Sequence, residues 1–304
     1  MSVEIHHIAA VSSDLQRTIR FYHNVLGLKY MLKPSLFDGP KVCHFYWDKE
    51  IRNFITFYHC PNLGKGKAGI NAIGAISFSV GKDGMGFWEK RLNLYGIPFR
   101  VTVDEIEDTV AFVFQDADGL QLKFVFANAN NRVGFDNDRF QIVYPIKGLY
   151  GVEIVGAVTT DLKAFFTEQL KMASQTLSEN NCRLSGLQKA GSIIDLRTDR
   201  ETGIGANGGG MIHHMALKVK NWNHFMALYY HLKHRNKSTI FRNHTNNYSA
   251  FYFREEGNIL EIVGQRTMIN DSFFHSGFQT PFSLKKEKNR VIISRQVQSE
   301  VVPQ

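Results

Sequence analysis

The sequence is poor in cysteine and proline and has no long apolar run, and these absences narrow the class of protein. Its 304 residues include 3 Cys, an odd count without a C-x-x-C pair, which argues against a disulfide framework and a structural zinc site. No apolar run approaches the roughly 20 residues needed to cross a bilayer, so no membrane partner is expected. The N-terminus MSVEIHHIAA lacks the basic start and apolar block of a signal peptide, which predicts a cytoplasmic protein.

The positive charge of the chain is dispersed. Lys and Arg number 36 against 28 Asp and Glu, and the densest basic group lies in the polar tail at 285–295. There is no basic stripe with interleaved aromatics, so no nucleic-acid partner is expected. With 43% hydrophobic and 21% charged residues the composition is that of a globular protein, and the length suggests two domains. A homo-oligomer is compatible with these features.

Four segments share one pattern: a β-rich run, a helix of about 12 residues and further β-rich runs. They begin near residues 5, 73, 149 and 211. The first helix is capped within Ser12–Asp14 and ends at Gly27, and the others are predicted near 87–94, 162–170 and 221–233. The pattern predicts an α+β fold of four β-α-β-β-β units. The units should pair into two domains with curved mixed sheets around a cavity, because one small sheet cannot cover its own apolar face.

Domain boundaries follow from this repeat. Residues 1–127 are predicted to form an N-terminal domain of units one and two, and 147–265 a C-terminal domain of units three and four. Residues 128–146 are expected to be the linker, and 266–304 a polar, basic C-terminal extension.

Units one and four open with adjacent histidines, His6-His7 and His213-His214. Neighbouring side chains on a strand point to opposite faces, so one His of each pair is expected to reach a shared cavity while the other faces elsewhere or supports it. A single His on an apolar strand is ordinarily a core residue, but two such pairs at equivalent points of a repeat favour a metal. The matching dipeptides of units two and three are taken as Ile76-Ser77 and Val152-Glu153.

The closing strand of unit four contains Glu261 within NILEIV. An acidic residue in an apolar strand is costly unless it is paired or bound to a metal. If units one and four face each other, one His from each pair and Glu261 form a 2-His-1-carboxylate set with open coordination positions. Such a set suits Fe(II), with Mn(II) close in preference and Zn(II) also able to bind.

Further motifs carry a resemblance to a known family. The repeat with HHI, SDL and FYHNVLGL resembles the vicinal oxygen chelate superfamily, also called the glyoxalase/bleomycin-resistance/dioxygenase fold, over about residues 4–265. Four units in one chain, with FDGPKVCHFYWDKE, LGKGKAG, GGGMIHHMALKV and YFREEGNILEI, resemble its ring-cleaving dioxygenases for hydroquinone-type substrates.

The resemblance implies a function and a set of site residues. The function is an extradiol-type dioxygenase that uses Fe(II) and O2 to open a small aromatic diol, hydroquinone or quinone-derived compound. The implied metal ligands are His7, His214 and Glu261, and the implied catalytic residues are His6, His213 and Tyr252.

Two alternatives use the same fold. A glyoxalase-like isomerase or lyase favours Ni(II) or Zn(II) and usually has a second Glu, which neither Thr56 nor Lys123 supplies at the corresponding positions. A non-catalytic binding protein of the resistance type needs no metal, and the joint presence of His7, His214 and Glu261 argues against it.

Overall fold

The computed structural model shows 16 strands and four α-helices in the part of the chain that it describes. It describes residues 3–33, 41–47, 53–104, 108–127, 142–156, 160–179, 181–186, 191–198, 203, 205–235, 237, 239–245 and 248–265. Residues 128–141 of the predicted linker and the predicted extension 266–304 lie outside these ranges.

All four predicted helices are present. They are α1 (Leu15–Ile19, continued by a π-helical turn over Arg20–Val25), α2 (Met85–Leu94), α3 (Thr160–Ala164, continued by a π-helical turn over Phe165–Gln169) and α4 (Trp222–His234). The first begins where predicted because the Asp14 carboxylate accepts hydrogen bonds from the backbone N–H groups of Gln16 and Arg17. Gly27 follows its last turn with φ +76°.

Each unit contributes four strands. Unit one has β1 (Val3–Ser12), β2 (Lys29–Lys33), β3 (Val42–Tyr46) and β4 (Phe54–His59). Unit two has β5 (Ala72–Gly81), β6 (Phe99–Asp104), β7 (Thr109–Gln115) and β8 (Gln121–Ala127). Unit three has β9 (Gly148–Gly156), β10 (Ala173–Ser178), β11 (Asn181–Ser185) and β12 (Ile193–Thr198). Unit four has β13 (Ile212–Val219), β14 (Ile240–Thr245), β15 (Tyr248–Glu255) and β16 (Asn258–Gln265).

The strands form two eight-stranded mixed sheets, which confirms the predicted fold class. The first sheet has the order β14-β15-β16-β13-β1-β4-β3-β2, and the second has the order β10-β11-β12-β9-β5-β8-β7-β6. Hydrogen bonding therefore joins unit one to unit four and unit two to unit three. The predicted division into 1–127 and 147–265, which pairs neighbouring units, is not the division into sheets. All four units begin with an equivalent strand, and the sequence does not show which of these first strands pair with each other.

Helices pack on the sheets through aromatic side chains. Phe225 of α4 is fully buried and lies against Gly264 of β16, where a Cβ atom would be 2.5 Å from the aromatic ring. A side chain at Gly264 would push α4 away from the sheet. Within the described ranges, none of the helices is long and apolar enough to span a membrane.

An ion network bridges two distant strands of the second sheet. Arg183 of β11 donates to both carboxylate oxygens of Asp195 on β12, at 2.7 and 2.9 Å, and also to Asp104 of β6. Strand β6 is the last strand at one end of the order and β11 is the second strand from the other end, so this ion pair joins the two sides of a curled sheet. Lys123 and Glu153 form a further pair, 2.5 Å apart, in the same sheet.

Replacing Arg183 with Met should destabilise the protein by about 3–5 kcal/mol, because it leaves the buried carboxylate of Asp195 and the half-buried carboxylate of Asp104 without this cation. The matched control is Arg197→Met, since the Arg197 side chain is 40% exposed against 5% for Arg183. The control should cost less than about 1 kcal/mol. Urea unfolding followed by fluorescence measures both changes, and equal losses for the two variants would contradict the assignment.

Candidate metal centre

The histidine pair of unit one lies on an irregular stretch of β1, where this strand pairs antiparallel with β13 at the middle of the first sheet. Ile5 lies opposite Leu217 and His7 lies opposite Ala216, so His6 is an extra residue in β1. Such a β-bulge bends the strand and changes the direction of nearby side chains.

The histidine pair of unit four lies on a second bulge related to the first. His214 lies opposite Ala9 and Ile212 lies opposite Ala10, so His213 is the extra residue in β13. The two bulges follow the local two-fold symmetry that exchanges the two strands.

The bulges bring the two histidines of each pair into contact. His6 Nδ1 lies 2.9 Å from His7 Nδ1, and His213 Nδ1 lies 2.8 Å from His214 Nδ1. The expectation that neighbours point to opposite faces holds for a regular strand and is wrong here, because the extra residue interrupts the alternation. The accompanying alternative, that the first His supports the second, describes the observed contact.

His7, His214 and Glu261 come together at the centre of the first sheet. His7 Nε2 lies 3.2 Å from His214 Nε2. Glu261 Oε2 lies 3.4 Å from His7 Nε2 and 3.1 Å from His214 Nε2. His214 and Glu261 are 3% and 2% exposed. Strands β1, β13 and β16 thus each contribute one donor atom to a buried cluster at the centre of the first sheet.

These separations fit a metal ion. Donor atoms that bind one ion at about 2.1 Å are about 3.0 Å apart at an octahedral angle and about 3.4 Å apart at a tetrahedral angle. The three observed separations, 3.1–3.4 Å, fall in this range. Two imidazoles and one carboxylate also have the donor chemistry that Fe(II), Mn(II) and Zn(II) accept. The residues present therefore fit a divalent ion.

A hydrogen bond at Nδ1 and an aromatic contact fix the orientation of the His7 and His214 rings. Each directs Nε2 to the centre while Nδ1 contacts the preceding His, the arrangement that fixes the tautomer and orientation of metal-binding imidazoles. The Phe54 ring stacks on His7, 4.9 Å between centroids and 1° between planes. Tyr252 meets His214 edge-on at 5.7 Å and 89°.

Burial favours the neutral form of two of these rings. It lowers the pKa of His7 well below its ordinary value, with Glu261 acting in the opposite direction. It likewise lowers the pKa of His213 to about 4, with a smaller contribution from His214. Neutral imidazole is the form that binds a metal, so no proton has to leave His7 for a metal to bind near neutral pH.

Two tyrosines near the centre remain protonated. Burial, followed by the charge of Glu261, raises the pKa of Tyr58 to about 12. The same causes raise the pKa of Tyr252 well above its ordinary value, and a hydrogen bond with Glu261 adds to the shift. Both phenols can therefore donate hydrogen bonds throughout the physiological pH range.

Sequence reasoning missed Tyr58 and Phe54. The Tyr58 ring lies 5.6 Å from His213 and 6.4 Å from His214. A signal for both existed, since positions 54, 56 and 58 share one face of β4 and Thr56 had been matched to Glu261.

The second sheet lacks the centre at its equivalent positions. Its own bulges fall at Gly74 and Tyr150, so the residues that match the two predicted ligand histidines are Ala75 and Gly151. Ser77 and Glu153, which the sequence comparison matched to the ligand histidines, therefore each lie two residues beyond the structurally equivalent position. At Gly151 a Cβ atom would clash with the backbone oxygen of Ile193 in β12, which leaves no room for an imidazole.

Four units arranged as two curved sheets define the class of protein, a vicinal-oxygen-chelate fold with two such sheets in one chain. Residues 4–124 match the model of the Glyoxalase/Bleomycin resistance protein/Dioxygenase superfamily. The predicted resemblance to this superfamily is thereby confirmed.

Two relatives from Bacillus subtilis (strain 168) extend the match along the chain. The protein named "Putative ring-cleaving dioxygenase MhqE" is 26% identical over 305 residues, covering 94% of this chain and 96% of the relative. "Putative ring-cleaving dioxygenase MhqO" is 29% identical over 266 residues, covering 84% and 82%.

Solved structures share the fold. A crystal structure described as a putative dioxygenase from B. subtilis has a TM-score of 0.77 at 23% identity, covering 88% of this chain and 86% of that one. Glyoxalase I from Zea mays has a TM-score of 0.64 at 14% identity, covering 86% and 92%.

A His214→Ala variant should lose the metal that the native protein takes up, because the two remaining donor atoms bind a divalent ion far more weakly than three do. Elemental analysis after anaerobic loading measures the ion per chain. The matched control is His224→Ala, whose ring bonds the backbone oxygen of Gln169 away from the centre. Equal metal content in all three proteins would contradict the site.

His6→Ala and His213→Ala should each weaken metal binding by about 10- to 100-fold without abolishing it, because each removes the hydrogen-bond partner that orients one ligand ring. Competition with a coloured chelator measures the affinity. Unchanged affinity in both variants would show that the His–His contacts do not hold the ligands.

Proposed function

We propose that this protein is a metal-dependent, ring-cleaving dioxygenase of the extradiol type, acting on a small aromatic diol, hydroquinone or quinone-derived compound. The observation that carries the proposal is a cluster of two imidazoles and one carboxylate whose donor atoms lie 3.1–3.4 Å apart. The position symmetric to that carboxylate is occupied by Thr56 rather than by a second acid. The relatives named as ring-cleaving dioxygenases along nearly the whole chain support the same reaction class.

The ion proposed for the centre is Fe(II), held by His7, His214 and Glu261, with Mn(II) or Zn(II) as alternatives. When bound, Fe(II) would supply the one-electron chemistry that lets O2 react with an aromatic diol. The overall reaction consumes one O2 per ring opened, and both oxygen atoms enter the product. The partners in this proposal are the aromatic substrate and O2.

The walls of the centre suit an aromatic diol. Phe54 and Tyr58 offer ring surfaces, Tyr58 offers a hydroxyl donor, and the hydroxyl of Tyr252 bonds the carboxylate of Glu261. A protonated phenol beside the ligands can donate to a substrate oxygen and stabilise its anionic form. Apolar rings with a few directed polar atoms orient a small planar molecule.

A hydrogen-bond donor role is assigned to His213. A ligand histidine that binds through Nε2 carries its proton on Nδ1, so His214 would donate to Nδ1 of His213 and leave the ring proton of His213 on Nε2. That N–H can donate to a substrate oxygen and stabilise its anionic form. His6, in the same relation to His7, is the alternative donor.

Two other functions remain as outcomes of the test. An isomerase is one alternative, because the chain shares its fold with glyoxalase I of Zea mays at 14% identity. Such an enzyme would use a second carboxylate, and Thr56 occupies the position where that carboxylate is expected. The binding-protein alternative would not require three donor atoms at metal-binding separations.

Fe(II)-loaded protein should consume O2 with catechols or hydroquinones, and Tyr252→Phe should lower kcat by about 100-fold while leaving metal content unchanged. The hydroxyl is lost but the ring that contacts His214 is kept. The measurement is O2 uptake with product absorbance, and the matched control is Tyr229→Phe, on α4 among aromatic side chains.

Isomerisation of a hemithioacetal by Zn(II)- or Ni(II)-loaded protein, without O2 uptake by the Fe(II) form, would instead support the isomerase. Aromatic ligand binding by metal-free protein, equal to that of loaded protein, would support the binding protein.

A further inference from the structure

The first sheet has a fourth position facing its centre. Thr56 of β4 pairs with Ala9 of β1, and Glu261 of β16 pairs with Ala216 of β13 in the same parallel geometry. The local two-fold that exchanges β1 and β13 exchanges these pairs as well. Thr56 is therefore the symmetric counterpart of the carboxylate ligand.

The Thr56 side chain is too short to act as Glu261 does. Threonine ends two carbon atoms earlier than glutamate, so its hydroxyl stops short of the place that a ligand atom would reach. Thr56 is 3% exposed, and its hydroxyl contacts Nδ1 of His44 at 2.8 Å. A buried hydroxyl with a fixed partner thus stands on the side of the centre that has no protein ligand.

His44 is the symmetric counterpart of Tyr252. It lies opposite Thr56 in the β3–β4 pair, as Tyr252 lies opposite Glu261 in the β15–β16 pair. The His44 ring meets Phe54 edge-on at 5.3 Å, and Phe54 stacks on His7. One aromatic ring therefore fixes both the ligand and this second histidine.

We infer that Thr56 and His44 form a hydrogen-bond relay that receives the ionised oxygen of a phenolic ligand at the fourth side of the centre. Nδ1–H of His44 donates to Thr56 Oγ1, which leaves the single hydroxyl proton of Thr56 to donate to the ligand oxygen. Both are positioning residues in substrate binding. The inference rests on the proposed function for the metal and the ligand class, and it adds the residues that hold the ligand oxygen.

The electrostatics agree with this direction of donation. Burial, then the charge of Lys33, lowers the pKa of His44 to about 4, so the ring is neutral and has one N–H to place. The relay brings no net charge to the site, and two dipoles point toward the developing anion.

The test is anaerobic binding of 4-nitrocatechol to Fe(II)-loaded protein, followed by the visible absorbance of its ionised form. Thr56→Val should weaken this binding by about 10- to 100-fold, the value of a hydrogen bond to a charged oxygen, and shift the ligand band toward the protonated form. Metal affinity should stay within about twofold. Thr56→Ser should restore binding, and His44→Phe should weaken it by about tenfold.

Two further variants complete the test. Thr18→Val removes another buried threonine hydroxyl, bonded to Ser12 Oγ at 2.6 Å, and should leave ligand binding unchanged. Thr56→Glu should raise metal affinity and abolish 4-nitrocatechol binding, because it supplies a fourth protein ligand. Native ligand affinity and an unshifted band in both Thr56→Val and His44→Phe would overturn the inference.

The outcomes separate this inference from the proposed function. Native protein that binds 4-nitrocatechol through Thr56 but never consumes O2 would remove the dioxygenase proposal and keep the relay. If Thr56→Val cleaves the ring with full activity and binds 4-nitrocatechol with native affinity, the relay is removed and the dioxygenase proposal is kept.

Discussion

The antiparallel pairing of β1 with β13 is the constraint on which the centre depends. It places the histidine pairs of units one and four on either side of a local two-fold axis. A bulge in each strand turns the rings of His7 and His214 toward that axis. The result is an Nε2–Nε2 separation of 3.2 Å between residues 207 positions apart in sequence. Glu261 joins them because β16 pairs with β13 in the register that sets it beside Ala216.

The second sheet shows what the same scaffold becomes without ligands. At the matching positions it carries small residues, Ala75 and Gly151, and beside them the ion pairs of Lys123 and Arg183. Cations and carboxylates there neutralise each other directly. In the first sheet a buried carboxylate instead faces two imidazoles, an arrangement that a bound cation would complete. One architecture thus supports a structural core in one half and a candidate reactive centre in the other.

Much of the fold was predictable because it rests on local chemistry. The cap at Asp14, the stop at Gly27 and the repeated strand pattern each depend on neighbouring residues, and the helices formed where these signals stand. The three predicted ligands were found through a buried acid and two histidine pairs, all unusual in apolar strands. Tyr58, Phe54 and the role of His44 were not assigned, because an aromatic or a histidine in a strand has the same local signature in a core and at a site.

The sequence by itself determined the four-unit repeat, the resemblance to the superfamily and the three residues whose chemistry suits a metal. Only the tertiary structure decided that unit one pairs with unit four, that His6 and His213 are bulge residues in contact with His7 and His214, and that Thr56 occupies the position symmetric to Glu261. The physical reason is that composition and periodicity act through neighbours along the chain. Strand partners, bulges and two-fold symmetry arise from backbone hydrogen bonds between distant segments, which leave no mark in the local sequence.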